Sequence, residues 1–93
     1  MQENKLVLRA QKGDNDAFSE LVSLYEKKIY NLALRMTRNP EDALDLSQEI
    51  FIRVYKSLPL FKAQSTFSTW VYSIASNACI DFTRRERGRR FYL

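Results

Sequence analysis

The chain has 93 residues, enough for one small domain, with 45% hydrophobic and 28% charged side chains, the balance of a folded globular chain rather than a disordered one. It has no histidine and one cysteine, Cys79, which excludes histidine acid–base chemistry, a His–Cys zinc site and an internal disulfide. The net charge of +4 is uneven: residues 1–80 carry +1 and residues 81–93 carry +3, from Arg84, Arg85, Arg87, Arg89 and Arg90, while Glu41, Asp42, Asp45 and Glu49 cluster in the middle, so that an acidic face and a basic end predict two different partners.

Two glycines and two prolines are too few for a sandwich or barrel of short strands, so an all-α fold is expected. A first, short helix spans about Lys5 to Lys12 and stops at Gly13. Asp14 suits the N-cap of a second helix, whose stripe is Phe18, Leu21, Val22, Tyr25, Ile29, Leu32, Ala33 and Met36. Asn39-Pro40-Glu41-Asp42 restarts the helix, with a capping amide, a proline fit for the first helical position and two acids at the positive end of the dipole. This third helix runs to about Ser57, and Leu58 to Ser65 form a loop around Pro59. A fourth helix begins near Ser65 or Thr66 and buries Phe67, Trp70, Val71, Ile74, Ala75, Ala78 and Phe82. The expected architecture is a small bundle of three main helices plus a short N-terminal one, a single domain over 1–93 whose residues from about 84 fray or open a linker.

A catalytic constellation does not assemble from these residues. Cys79 has no base beside it and sits among apolar helical neighbours, as a buried inert thiol does. Gly13 and Gly88 stand alone, so there is no phosphate-cradling loop, and the acids lack the spacing of a calcium loop. No enzyme, metal or cofactor is expected. The start lacks a signal-peptide pattern and no apolar run reaches the ~18–20 residues of a membrane span. Together with the single thiol, this predicts a cytoplasmic protein without membrane insertion.

Two surfaces carry information. On the third helix Ala43, Leu44, Leu46, Ile50, Phe51, Val54, Tyr55 and Leu58 fill one half of the projection, read as core. The other half carries Asp45, Glu49, Arg53 and Lys56, with Gln48 at its edge, and Ile52 falls among them. On pattern alone, a solvated face with one harmless exposed aliphatic outweighs a docking spot with a dry centre and a charged rim. On the fourth helix Ser73, Ser76, Asn77, Ile80 and Arg84, with Trp70 at the boundary, make a polar face nearly free of acid. Phe61 and Lys62 precede it, and Thr66, Ser68 and Thr69 open it. Hydroxyls, amides, arginines and aromatics suit phosphates and unstacked bases. The plainer alternatives are that Phe67 and Trp70 pack the core and that the arginines are a solvated tail.

The run DLSQEIFIRVYKSLPLF followed by FSTWVYSIASNACIDFTRR resembles region 2 of bacterial sigma factors, most closely the extracytoplasmic-function (ECF) group. The preceding LRAQKGDNDAFSELVSLYEKKIYNLALRMTRNPEDALD also resembles the opening of such proteins, so the likeness covers about Leu6 to Arg90. It implies a promoter-recognition domain that initiates transcription. Asp45, Leu46, Gln48, Glu49 and Ile52 are then expected on the coiled coil of the largest subunit of RNA polymerase. The loop and fourth helix are expected on the melted −10 element of the non-template strand, through Phe61, Lys62, Ser65, Thr69, Trp70, Ser73, Asn77, Arg84 and Arg85. An anti-sigma factor is a further partner that the resemblance admits. Many relatives carry Phe-Arg-Gly and an acid in the loop, where this chain has Phe61-Lys62-Ala63-Gln64. Region 4, which in the family reads the −35 element, has no counterpart in these residues. The alternative from another class is a helical protein-interaction module that touches nucleic acid non-specifically.

Overall fold

A computed structural model describes the backbone of residues 2–92 and the side chains of residues 3–88. Its elements are α1 (Gln2–Gln11), α2 (Asn15–Thr37), α3 (Pro40–Ser57), a single 3-10 turn (Leu58–Leu60) and α4 (Phe67–Tyr92). The bundle is all-helical, as the scarcity of breakers predicts.

The chain's punctuation explains where these helices begin and end. Gly13 adopts φ +97°, a left-handed conformation that closes α1. Asp14 then caps α2, its Oδ1 accepting the Ala17 N–H at 3.1 Å while Oδ2 takes Arg9 Nη2 at 2.7 Å. The Ala17 amide first, and then Arg9, hold the Asp14 carboxyl below the usual carboxylate range. Arg38 ends α2 at φ +54°, its N–H returning to the Leu34 carbonyl. Asn39 Oδ1 accepts from the N–H groups of Glu41 and Asp42 at 2.9 and 3.1 Å, with Pro40 opening α3. Thr66, rather than a helical residue, is the cap of α4, and its Oγ1 accepts the Thr69 N–H at 3.1 Å.

The core is one cluster drawn from every helix: Leu6 and Val7 from α1, Leu21, Tyr25 and Ile29 from α2, Leu46, Ile50 and Val54 from α3, and Phe67 and Val71 from α4. Fully buried alanines at 17, 33, 43, 75 and 78 let the helix axes approach closely. Cys79 is buried as expected, and burial pushes its thiol pKa up. Tyr25 donates to Glu3 across α1 and α2, and burial first, then Glu3, raises its phenol pKa.

The expected core of α3 is too wide. Leu44 and Tyr55 are 52% and 51% exposed, and Met36 on α2 is exposed as well. The neighbouring helices cover only the middle of the apolar half, so its edges remain in solvent. Tyr55 lies edge-on to Phe18 at 4.9 Å and reaches Asn15 with its hydroxyl. Ser47 is buried instead, its hydroxyl satisfied by the Ala43 carbonyl at 2.6 Å. Beyond Thr83, α4 continues as helix through Tyr92, while the side chains of Arg89 and Arg90 lie outside the described residues.

Candidate nucleic-acid and protein interfaces

On α3, Asp45, Gln48 and Ile52 stand on the exposed side, with Ile52 54% exposed inside their polar ring. Leu46 does not join them: it is buried in the core, because it lies on the face that meets the other helices. That is the core position that the apolar half of the helical projection predicts for it. Glu49 is half-buried and already engaged. A single oxygen, Oε2, accepts Arg53 Nη2 and Arg85 Nη2, each at 3.4 Å. Arg53 also donates to Asp81 Oδ2 at 3.0 Å. These four charges form a seam from α3 to α4 that joins the acidic face to the basic end. The two surfaces that the charge distribution separates are therefore contiguous, and the exposed Arg85 spends part of its charge on Glu49.

On α4, Ser73 and Asn77 are exposed and line a shallow open groove with Thr69, Tyr72 and Ser76. Asn77 lies one helical turn before Asp81 of the seam. Trp70, next to Thr69 in the first turn of α4, is half-buried. Its ring lies 4.9 Å from Phe61 and 5.7 Å from Phe67, and Phe67 in turn meets Tyr25 at 5.7 Å. Phe61 and Trp70 thus pack against the core and show one side to solvent, which reconciles the packing and the surface readings of these aromatics. The Thr69 hydroxyl is held by Thr66 at 2.9 Å, and Ser65 donates to the Thr66 carbonyl at 3.2 Å. Arg84 is exposed.

The loop between the 3-10 turn and α4 is the least regular part of the site. Lys62, Ala63, Gln64 and Ser65 are all exposed, and Ala63 sits at φ +57°. That is the left-handed conformation that costs an L-residue with a Cβ roughly 1–2 kcal/mol. Ala63 thus occupies a backbone geometry that favours glycine. The loop is also fastened from a place that no local pattern reveals. The Gln11 amide, at the end of α1, donates to the carbonyls of Leu58 and Phe61 at 3.1 and 2.9 Å. A polar residue closing a short helix carries no sequence signal of such a role.

Among the described residues no cluster of three or more His, Cys, Asp or Glu side chains could hold a metal ion, and no helix is long and apolar enough to cross a membrane.

Comparison with known proteins bears directly on these surfaces. The family model described as Sigma-70 region 2 matches residues 21–89, which include the seam, the loop and the groove. The chain is 43% identical over 83 residues to the ECF RNA polymerase sigma factor SigW of Bacillus subtilis, covering 89% of this chain and 44% of that protein. It is 41% identical over 85 residues to the ECF RNA polymerase sigma-E factor of Escherichia coli K12, covering 91% and 44%. The chain therefore spans less than half the length of the curated relatives it matches. Among solved structures, an engineered region 2 of sigmaE in complex with GTAAAA superposes with a TM-score of 0.87 at 39% identity, over 100% of this chain and 96% of that one. CnrH, solved with the cytosolic domain of CnrY, shares the fold at a TM-score of 0.80 and 23% identity, over 96% of this chain and 62% of that one. The family match over residues 21–89, together with the helices and their order, leads to one conclusion: the chain belongs to the Sigma-70 region 2 family, with ECF sigma factors among its relatives.

Proposed function

We propose that this domain is a promoter-recognition module for RNA polymerase that binds without catalysing a reaction. Asp45, Gln48, Glu49 and Ile52 meet the coiled coil of the largest polymerase subunit, with Ile52 as the dry centre of a charged rim. The loop and α4 hold unstacked bases of the −10 non-template strand. In this reading Phe61 and Trp70 offer ring faces, Lys62 and Arg84 contact phosphates, and Ser65, Thr69, Ser73 and Asn77 supply hydrogen bonds. Arg85 adds charge where Glu49 leaves it free to do so. The basic end of α4 acts as a helical arm that leads away from the groove.

One observation carries the reading. An acid-free groove of hydroxyl and amide side chains lies on the helix that also carries Trp70, whose half-exposed ring packs on Phe61 at the start of a short exposed loop. The likeness to an engineered sigmaE region 2 solved with GTAAAA supports single-stranded DNA as the ligand. The test is selection from a randomised single-stranded pool at low salt, with GTAAAA as a reference strand. Enrichment of a defined base at one or more positions is expected. Equal retention of all strands would make the domain a non-specific module instead.

A further inference from the structure

Both hydrogens of the Gln11 side-chain amide are spent on the loop that precedes α4. Nε2 lies 3.1 Å from the Leu58 carbonyl and 2.9 Å from the Phe61 carbonyl, across 47 and 50 residues of chain. The orientation of the amide is dictated by its surroundings: an oxygen in that position would face two other carbonyl oxygens. Leu58 O also accepts the Phe61 N–H at 3.1 Å, so the bonds close the 3-10 turn from within and from α1 together. Gln11 is partly buried, which keeps water from replacing these bonds freely.

The next four residues have no comparable hold. Lys62 to Ser65 are exposed, and Ala63 occupies a left-handed conformation disfavoured for alanine. At their far end Thr66 fixes the start of α4. The loop is therefore a short span between two anchors, and the upstream anchor is Gln11 together with the Phe61 ring on Trp70.

We infer that Gln11 is a positioning residue for strand recognition: by holding the Leu58 and Phe61 carbonyls from α1, it presets the loop in which an unstacked base is read. This rests on the proposed function of the loop. It assigns to α1 a part in base selectivity although α1 lies on neither proposed surface. A loop held in one shape gives up less conformational freedom when it closes on a base, and it discriminates by shape as well as by hydrogen bonds.

The test compares the wild-type chain with Gln11→Met, which keeps length but has no donor, and Gln11→Lys, whose ammonium can donate to both carbonyls. The probe is a randomised pool of single-stranded hexanucleotides, the readout is the enrichment ratio of preferred over disfavoured bases, and helicity is checked by circular dichroism. If Gln11→Met loses helicity, Gln11→Leu, uncharged and without a donor, replaces it. The donor-less variant should lower the enrichment ratio by roughly five- to tenfold, the scale of two hydrogen bonds partly offset by solvent. Its salt dependence should not change, because no charge is removed. Gln11→Lys should keep most of the ratio, since its added charge strengthens all strands alike. Undiminished selectivity without the donor, or equal loss in both variants, overturns the inference while leaving the function standing. A wild-type chain that enriches nothing overturns the function, and the inference with it.

Discussion

The α3 face and the loop that follows it adjoin in sequence but are built by different physics. The α3 face is a product of helical period. Asp45, Gln48, Glu49 and Ile52 point outward because Ala43, Leu46, Ile50 and Val54 point inward, and no distant residue is needed to put them there. The loop is a product of distant contacts. Its start is held by Gln11, its middle turns through a left-handed alanine, and its aromatic leans on Trp70 of α4. A surface of the first kind tolerates substitution of its exposed residues without losing shape. A surface of the second kind changes shape when a residue far from it is altered.

The largest effect that tests this contrast uses two adjacent residues of α3. Ile50 is fully buried, and Ile50→Ala should destabilise the fold by about 2–5 kcal/mol in chemical denaturation. Glu49→Lys should leave stability within about 1 kcal/mol, because its ion pairs are half-exposed. It should still cost on the order of 2–4 kcal/mol of affinity for the polymerase coiled coil, measured by titration calorimetry. A stability loss from Glu49→Lys as large as that from Ile50→Ala would mean that the seam, and not the helix period, shapes this face.

On the loop side, the base that the domain prefers should be favoured by roughly 1–3 kcal/mol over a wrong base at the same position. Asn77→Ala should reduce that preference and leave the salt dependence intact, because an amide can read a base edge but carries no charge. Competition between matched and scrambled strands measures both. Ala63→Gly should raise stability by roughly 0.5–1 kcal/mol in thermal unfolding, since relief of the left-handed strain outweighs the added freedom of the unfolded chain. A lower melting temperature for Ala63→Gly would mean that the alanine methyl group makes contacts that matter more than its backbone.

The seam separates two arginines that the sequence presents as equals. Arg84→Ala should flatten the log–log salt slope of strand binding by about 0.7, one phosphate contact on a single strand. Arg85→Ala should change it less, because Glu49 already neutralises part of its charge. The smallest effect concerns acid. The Asp14 carboxyl titrates lower in the folded chain than in the unfolded one, so its contribution is present above the ordinary carboxylate range and fades as pH falls through its folded value. Asp14→Asn should keep the cap and flatten that part of the pH–stability curve.

The regular parts of this molecule are legible in the sequence because their causes are local. Asp14, Asn39-Pro40 and Gly13 mark helix ends, and the stripes of α2, α3 and α4 mark the core. The misreadings also have a common source. A helical projection says which half is apolar but not how much of it the neighbours cover, so Leu44 and Tyr55 emerge and Ser47 sinks. Nor does composition reveal that Arg85 and Glu49 meet across 36 residues, or that Gln11 reaches the loop. Those contacts exist only once the bundle has closed.

The pairing of Phe61 with Trp70 has a practical side. Trp70 is the single tryptophan of the chain, so all indole emission comes from the point where the loop rests on α4. An indole that is half in water shifts its spectrum when the ring beside it lifts away or when a nucleobase stacks over it. The protein thus carries its own optical probe at the loop. A strand that binds there should quench or shift the emission, and a ligand that binds only along the α3 face should leave it unchanged, so unlabelled protein can report which of its two surfaces is occupied.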